Sequence, residues 1–133
     1  MKVIVVDDEP VIADTLVDIL NGEGCEAVAV SDGPSAIKWA EMIQPDVVIT
    51  DVIMSGMNGI ETAKAIMKIL PDCRVILFSG QAASLDLLEK ARADGYEFEI
   101  LAKPINPTML LEILKLAEFA PSFERLGQGS RTA

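Results

Sequence analysis

Five short apolar segments recur along the chain, and each is followed by a longer stretch with helical periodicity. Successive segments begin between 21 and 27 residues apart, which is the spacing of repeated strand–helix units. This alternation predicts an α/β fold in which a parallel sheet is covered by helices on both faces. The predicted strands are residues 2–6, 25–30, 46–50, 73–78 and 97–101.

The composition of these segments predicts their order in the sheet. The first, third and fourth are continuous apolar runs, as expected of central strands that are buried on both faces. The second is diluted by Glu26, and the fifth alternates between acidic and apolar residues, as expected of edge strands. Strands 1, 3 and 4 inside with 2 and 5 outside correspond to the doubly wound, flavodoxin-like order 2-1-3-4-5.

Proline, asparagine and glycine mark the predicted helix ends. Asn106 is a good N-cap, and Gly22 or Gly24 is predicted to end the first helix and Gly95 the fourth. Prolines suited to a first helical turn are Pro10, Pro34 and Pro107. The domain is predicted to span residues 1–118. Residues 119–133 have little periodicity, which predicts a flexible C-terminal tail or linker stub.

The charge of the chain excludes several classes of function. Its 11 Lys+Arg and 21 Asp+Glu give a net charge of −10, and histidine is absent. This balance argues against nucleic-acid binding, which requires a basic face to neutralise phosphates. The lack of histidine excludes Ser-His and Cys-His catalytic pairs and any histidine-ligated metal. Most of the surplus acid is predicted to be solvated surface.

The sequence predicts a cytoplasmic protein without a membrane association. No segment approaches the roughly 18 apolar residues of a membrane span, and the N-terminal apolar run is too short for a signal peptide. Cys25 and Cys73 have neither the CxxC spacing nor the companions of a metal site. They are predicted to be small buried residues in a reducing compartment.

Polar residues follow the inner strands of the predicted sheet and the last strand. The carboxyl ends of parallel strands meet at one edge, where an open α/β sheet has its functional site. The residues that the fold would bring to this edge are Asp7-Asp8-Glu9, Asp51, Ser79-Gly80 and Lys103-Pro104. Each signal is weak alone, because an aspartate after a strand is usually a turn or capping residue.

Together these residues indicate phosphoryl chemistry. Asp7, Asp8 and Asp51 would repel one another and raise their own pKa values unless a cation joined them. Oxygen ligands without nitrogen or sulfur select a hard cation, and Mg²⁺ tolerates a few carboxylates together with waters and a phosphate. Lys103 supplies a compact positive charge and Ser79 a hydroxyl donor, and both suit a phosphoryl group.

These residues resemble the motifs of the response-regulator receiver domain, the CheY-like phosphoacceptor of two-component signal transduction. The resemblance covers residues 2 to about 118, and Met54 and Gly59 behind Asp51 belong to it. It implies that Asp51 accepts a phosphoryl group from a sensor histidine kinase or a histidine phosphotransfer protein. It further implies a changed surface for a downstream partner, and no enzymatic activity beyond the domain's own phosphorylation and dephosphorylation.

The resemblance also implies roles around the acceptor. Asp8 would bind Mg²⁺ directly and Asp7 directly or through water, while Asp51 and the backbone carbonyl of Ile53 would complete the protein ligands. Lys103 would pair with the phosphoryl oxygens.

The resemblance implies two further features, in the loops beside Lys103 and Ser79. The peptide bond to Pro104 is expected to be cis, which aims the lysine. Ser79, followed by Gly80, would move toward the phosphoryl group.

The chain departs from the family pattern at two positions. Ser55 stands where the family usually has proline, four residues after the acceptor. Ile100 stands three residues before the lysine, where members often carry an aromatic switch residue. Signalling by a ring flip therefore cannot operate in the usual way, although Phe98 or Tyr96 is a candidate substitute.

Two residues near the acceptor bear on the lifetime of the acyl phosphate. Apolar Ile53, two residues past Asp51, is predicted to hinder an attacking water and lengthen that lifetime. Gln81, two residues past Ser79, is an alternative residue that would position the water.

Three alternative functions stay open at this point. A flavodoxin-like flavin binder shares the strand order, but Asp7-Asp8-Glu9 would repel its phosphate. A haloacid-dehalogenase-type phosphatase uses Asp and Mg²⁺, but its Asp-x-Asp spacing is absent after the first strand. A degenerate receiver acting as a scaffold would normally lack the acceptor or the lysine, and both are present.

Overall fold

The computed structural model describes residues 1–80 and 83–115, and within these ranges five strands alternate with five helices. The strands are β1 (Lys2–Val6), β2 (Glu26–Val30), β3 (Val47–Asp51), β4 (Arg74–Ser79) and β5 (Glu99–Ala102). The helices are α1 (Pro10–Gly22), α2 (Gly33–Ile43), α3 (Gly59–Ile69), α4 (Ala83–Ala93) and α5 (Pro107–Ile113). All strand pairs are parallel and the order is β2-β1-β3-β4-β5, which confirms the predicted fold.

The observed strands differ from the predicted ones at their ends. Asp51 and Ser79 belong to the ladder, because Asp51 lies opposite Phe78 and Ser79 lies opposite Ala102. Strand β5 begins at Glu99, two residues later than predicted, because its pairing with β4 starts only there. Asp51 and Ser79 therefore sit on the sheet itself, where the strand ladder fixes their positions.

The core has two halves because successive strand residues point to opposite faces of the sheet. Helices α1 and α5 cover one face, and α2, α3 and α4 cover the other. Every residue of β3 is buried, as are Val3–Val6 of β1, which confirms that these are central strands. The edge strand β5 buries only Leu101.

Local sequence signals mark the beginnings and ends of the helices as predicted. Asn106 caps α5, since its side chain accepts a hydrogen bond from the Met109 backbone N–H at 3.3 Å. Gly24 and Gly95 follow α1 and α4 with φ of +91° and +95°, a conformation that glycine adopts without a Cβ clash. The turn at Gly24 leads from α1 to the start of β2, and the turn at Gly95 leads from α4 toward β5.

The two cysteines are free thiols. Cys25 is buried in the core beneath α1, as predicted, whereas Cys73 is only half-buried. Burial raises the pKa of the Cys73 thiol to about 11, with a further contribution from the nearby Asp46 charge.

The predicted tail at 119–133 lies outside the described residues, as does Gln81. The domain boundary at 118 stays a prediction. Over the described part of the chain, no helix has the length and apolar character needed to cross a membrane.

Candidate functional site

Asp51 ends β3 at the carboxyl edge of the sheet and is buried, with 6% of its surface exposed. The backbone around it is held on both sides. Thr50 Oγ1 donates to the Asp51 carbonyl at 3.0 Å, and the Val52 N–H donates to the Phe78 carbonyl at 3.3 Å. The Gly59 N–H then donates to the Val52 carbonyl at 2.9 Å, which closes the loop between β3 and α3. The carboxylate therefore projects from a firmly positioned strand end.

Glycine is required at two motif positions, because a side chain there would clash with neighbouring atoms. A Cβ on Gly59 would lie 1.8 Å from the Asp51 carbonyl oxygen, a distance that no side chain can occupy. A Cβ on Gly80 would lie 2.6 Å from Cβ of Lys103. Glycine at these positions lets α3 begin directly against the end of β3, and lets the Lys103 side chain pass beside the end of β4.

Three carboxylates converge beside this strand end. Asp7 is buried and accepts a hydrogen bond from the Glu9 N–H on Oδ1 at 2.9 Å. Asp8 is exposed, and its Oδ2 accepts from the Ser55 N–H at 3.2 Å. One oxygen from each of Asp7, Asp8 and Asp51 lies within 4.8 Å of the others. The arrangement matches the cluster predicted from the strand ends.

Lys103 provides the positive charge of the cluster. Its Nζ donates to Oδ2 of Asp51 at 3.0 Å and lies 3.6 Å from Oδ2 of Asp7. The same atom lies 4.9 Å from the centre of the Phe78 ring, so a cation–π contact adds to the ion pairs. The Lys103-Pro104 peptide is cis, as expected, and the Lys103 N–H donates to the Ser79 carbonyl at 3.1 Å.

The electrostatics of the cluster favour an additional cation. Burial raises the pKa of Asp7, and the Asp51 charge raises it further, against the lowering effects of the Glu9 N–H and Lys103. Burial by itself lowers the pKa of Lys103, but the hydrogen bond to Asp51 and the surrounding carboxylates outweigh it and raise that pKa. One lysine thus faces more negative charge than it neutralises.

An unsatisfied atom indicates where a cation would bind. Oδ2 of Asp7 is buried and accepts no hydrogen bond from any residue within 1–80 or 83–115, although the Lys103 Nζ lies 3.6 Å away. A buried carboxylate oxygen without a donor is costly unless a positive ion compensates it. Asp7, Asp8 and Asp51 together offer only oxygen ligands, which fits a hard divalent cation.

Ser79 ends β4, is half-buried, and follows Phe78, the residue that pairs with Asp51 across the sheet. Its hydroxyl is hydrogen-bonded to the hydroxyl of Ser84 on α4. Ile53 is half-buried against the core beneath α3. Ile100 is exposed, and Tyr96 stacks on Phe98 with ring centres 6.0 Å apart.

Comparison with known proteins identifies the family. The family model of the response regulator receiver domain matches residues 3–115. The chain belongs to this family. The match covers all five strands, apart from Lys2 at the start of β1. It also covers every residue of the acidic cluster.

Relatives and solved structures agree with this assignment. Chemotaxis protein CheY of Thermotoga maritima is 32% identical over 114 residues, covering 85% of this chain and 93% of that protein. The DNA-binding response regulator MtrA of Mycolicibacterium smegmatis is 28% identical over 112 residues, and this chain spans only 47% of its length. A receiver domain protein from Clostridium thermocellum superposes with a TM-score of 0.75 at 30% identity, covering 86% of this chain and 92% of that one.

This receiver domain is therefore a component of two-component signalling. Proteins of the family interact with histidine kinases and downstream effectors, and they bind Mg²⁺ at an acidic pocket. In this chain Asp7, Asp8 and Asp51 form an acidic cluster.

Sequence reasoning located the charged residues of the receiver domain but missed two neighbours. Phe78 lies under the Lys103 ammonium, although its sequence context only marks it as a buried strand residue. Ser84 contacts Ser79, yet a serine in the first turn of a helix carries no special signal. Neither residue was recognisable without the tertiary contacts.

Proposed function

We propose that this receiver domain accepts a phosphoryl group on Asp51 from the phosphohistidine of a partner protein. The observation that carries the proposal is the contact of Lys103 Nζ with the Asp51 carboxylate at 3.0 Å, beside Asp7 and Asp8. A carboxylate that is buried, held by its backbone and paired with a lysine is suited to act as a nucleophile toward an anionic phosphorus donor.

In the proposed transfer, a carboxylate oxygen of Asp51 attacks the phosphorus atom of the donor. The new O–P bond forms as the N–P bond to the partner's imidazole breaks, and the imidazole nitrogen keeps the electron pair and takes up a proton. The product is an acyl phosphate on Asp51. The donor must be another molecule, a sensor histidine kinase or a histidine phosphotransfer protein, because the chain contains no histidine.

The acidic residues would hold the metal ion. Asp7, Asp8, Asp51 and the backbone carbonyl of Ile53 are the proposed ligands of Mg²⁺. When bound, Mg²⁺ supplies positive charge that offsets the repulsion between an anionic donor and an acidic site. The unsatisfied Oδ2 of Asp7 supports this assignment.

Two further side chains are proposed to bind the transferred group. Lys103 already touches the acceptor carboxylate, so its ammonium is in position to pair with the phosphoryl oxygens. Ser79 ends the neighbouring strand, and its hydroxyl is proposed to donate to the phosphoryl group after transfer.

The biological role proposed for the domain is to report phosphorylation to a downstream partner through a changed surface. Its chemistry is limited to its own phosphorylation and dephosphorylation, and it is not proposed to turn over a separate substrate. A cytoplasmic location is proposed because the phosphohistidine donors of two-component systems act there.

Mass spectrometry after incubation with acetyl phosphate and Mg²⁺ tests this proposal. The wild-type chain should gain the mass of one phosphoryl group, and Asp51→Asn should not gain it. Asp72→Asn is a matched control, since Asp72 is exposed and precedes β4 at the opposite edge of the sheet. An unmodified wild-type chain would instead favour a scaffold that works without phosphorylation.

A further inference from the structure

Ser79 and Ser84 share a hydrogen bond between their hydroxyl groups. Ser79 is the last residue of β4, and Ser84 lies in the first turn of α4. The backbone of Ser79 also accepts the Lys103 N–H at 3.1 Å. Ser79 is therefore joined on one side to the loop that carries the lysine and on the other to a helix.

The first turn of α4 contacts the rest of the domain through the buried side chain of Ser84. Among the first-turn side chains that the structure describes, Ser84 is fully buried while Leu85 and Asp86 are exposed. Farther along the described part of the helix, Ala91 is buried, and Leu87 and Leu88 are half-buried against the core. The apolar contacts of α4 thus begin after its first turn, so loss or rearrangement of the Ser84 hydrogen bond acts on an end of the helix that has few other buried contacts among the described residues.

A serine hydroxyl has one hydrogen to donate. If Ser79 donates that hydrogen to a phosphoryl oxygen on Asp51, it cannot also donate it to Ser84. In the arrangement in which Ser79 donates to Ser84, the hydrogen bond between the two serines then has to reverse its direction or break. Because Ser84 is buried in the first turn of α4, either change acts directly on that turn.

The residue at the usual switch position, Ile100, cannot form such a hydrogen-bonded link. Ile100 has no hydrogen-bonding side chain and is 47% exposed on β5. We infer that Ser84 is the positioning residue through which Ser79 acts on α4, so that phosphorylation of Asp51 is transmitted to this helix by a serine–serine hydrogen bond. The inference rests on the proposed function, because it takes a phosphoryl group on Asp51 as the stimulus.

Nuclear magnetic resonance of the full chain tests the inference, with beryllium fluoride and Mg²⁺ as the phosphoryl mimic. Amide shifts at residues 51–59 report binding at the acceptor, and those at residues 84–93 report the response of α4. In the wild type both groups should shift. In Ser84→Ala the shifts at 51–59 should persist, whereas those at 84–93 should fall by about twofold or more.

Two further variants make the result interpretable. Ser84→Cys keeps a side chain of similar size with a much weaker hydrogen bond, so it should reduce the α4 response in the same direction as Ser84→Ala. Leu85→Ala alters an exposed side chain of the same turn and should leave both responses unchanged.

The outcomes separate this inference from the proposed function. An absence of wild-type shifts at residues 51–59, together with no phosphoryl adduct by mass spectrometry, overturns the proposed function. Wild-type shifts at 51–59 without any at 84–93, or an undiminished α4 response in both Ser84 variants, overturn the role of Ser84 and leave the phosphoacceptor proposal standing.

Discussion

Lys103 Nζ lies 3.0 Å from Oδ2 of Asp51 and 3.6 Å from Oδ2 of Asp7, so one ammonium group is shared by two buried carboxylates. The lysine side chain is 22% exposed, which limits screening by water. Removing the lysine would leave two adjacent anions in a poorly solvated site. The stability of the metal-free domain should therefore depend on this residue.

Lys103→Met is expected to lower the free energy of unfolding by about 2 kcal/mol in EDTA, because it leaves buried carboxylates without their counter-charge. The variant should also gain more stability from Mg²⁺ than the wild type does, since its acidic cluster is more negative. Urea unfolding with EDTA or Mg²⁺ measures both effects. Lys38→Met, at an exposed position on α2, should change stability by less than about 0.5 kcal/mol. Equal stability of Lys103→Met and wild type in EDTA contradicts the prediction.

Asp8→Asn is expected to raise the melting temperature by a few degrees without Mg²⁺, because one of three clustered negative charges is removed. It should also reduce the rise in melting temperature that Mg²⁺ produces, since the cation loses a ligand. Calorimetry in EDTA and in Mg²⁺ measures both effects, and Asp14→Asn on the exposed side of α1 serves as control. An unchanged or lower melting temperature of Asp8→Asn in EDTA at neutral pH would argue against electrostatic repulsion in the cluster.

Gly59→Ala is expected to destabilise the domain by more than about 2 kcal/mol, the range of strong overpacking effects. Its Cβ would lie 1.8 Å from the Asp51 carbonyl oxygen, so α3 must move away from the end of β3. Gly22→Ala is the matched control, because a Cβ at the end of α1 meets nothing within 4 Å. Chemical denaturation of both variants should show a loss only at position 59, and comparable stabilities would contradict the prediction.

Glu99 links β5 to β4 through Arg74, whose Nε and Nη2 donate to the carboxylate at 2.7 and 2.5 Å. These hydrogen bonds hold the pKa of Glu99 below its ordinary value. A depressed carboxyl pKa contributes stability above the unfolded-state pKa, and this contribution is lost as the pH falls through the folded-state pKa.

Glu99→Gln should therefore lower stability at pH 7 by less than about 1 kcal/mol, because the pair is largely exposed. The difference from wild type should shrink as the pH is lowered from 7 to about 3, because the Glu99 carboxylate is progressively protonated. Unfolding free energies at the two pH values test this, with Glu97→Gln as the control on the same segment. A difference of the same size at both pH values would show that the pairing does not depend on the Glu99 charge.

Much of the fold could be predicted from local pattern alone. Continuous apolar runs identified β1, β3 and β4 as central strands, because a strand that is buried on both faces carries apolar residues at successive positions. The order of the sheet then placed Asp51 and Lys103 at one edge. Capping chemistry at Asn106 is also local, since the side chain bonds to a backbone group three residues away.

The sequence by itself thus determined the sheet, its order and the residue types gathered at its carboxyl edge. Only the tertiary structure decided how each of those residues is used. Asp7 and Asp8 are identical and adjacent in sequence, yet one is buried with an unsatisfied oxygen and the other is exposed. The bond between Ser79 and Ser84 likewise has no sequence signal. Burial and side-chain hydrogen bonds depend on which elements pack around a residue, and that information lies in contacts distant along the chain.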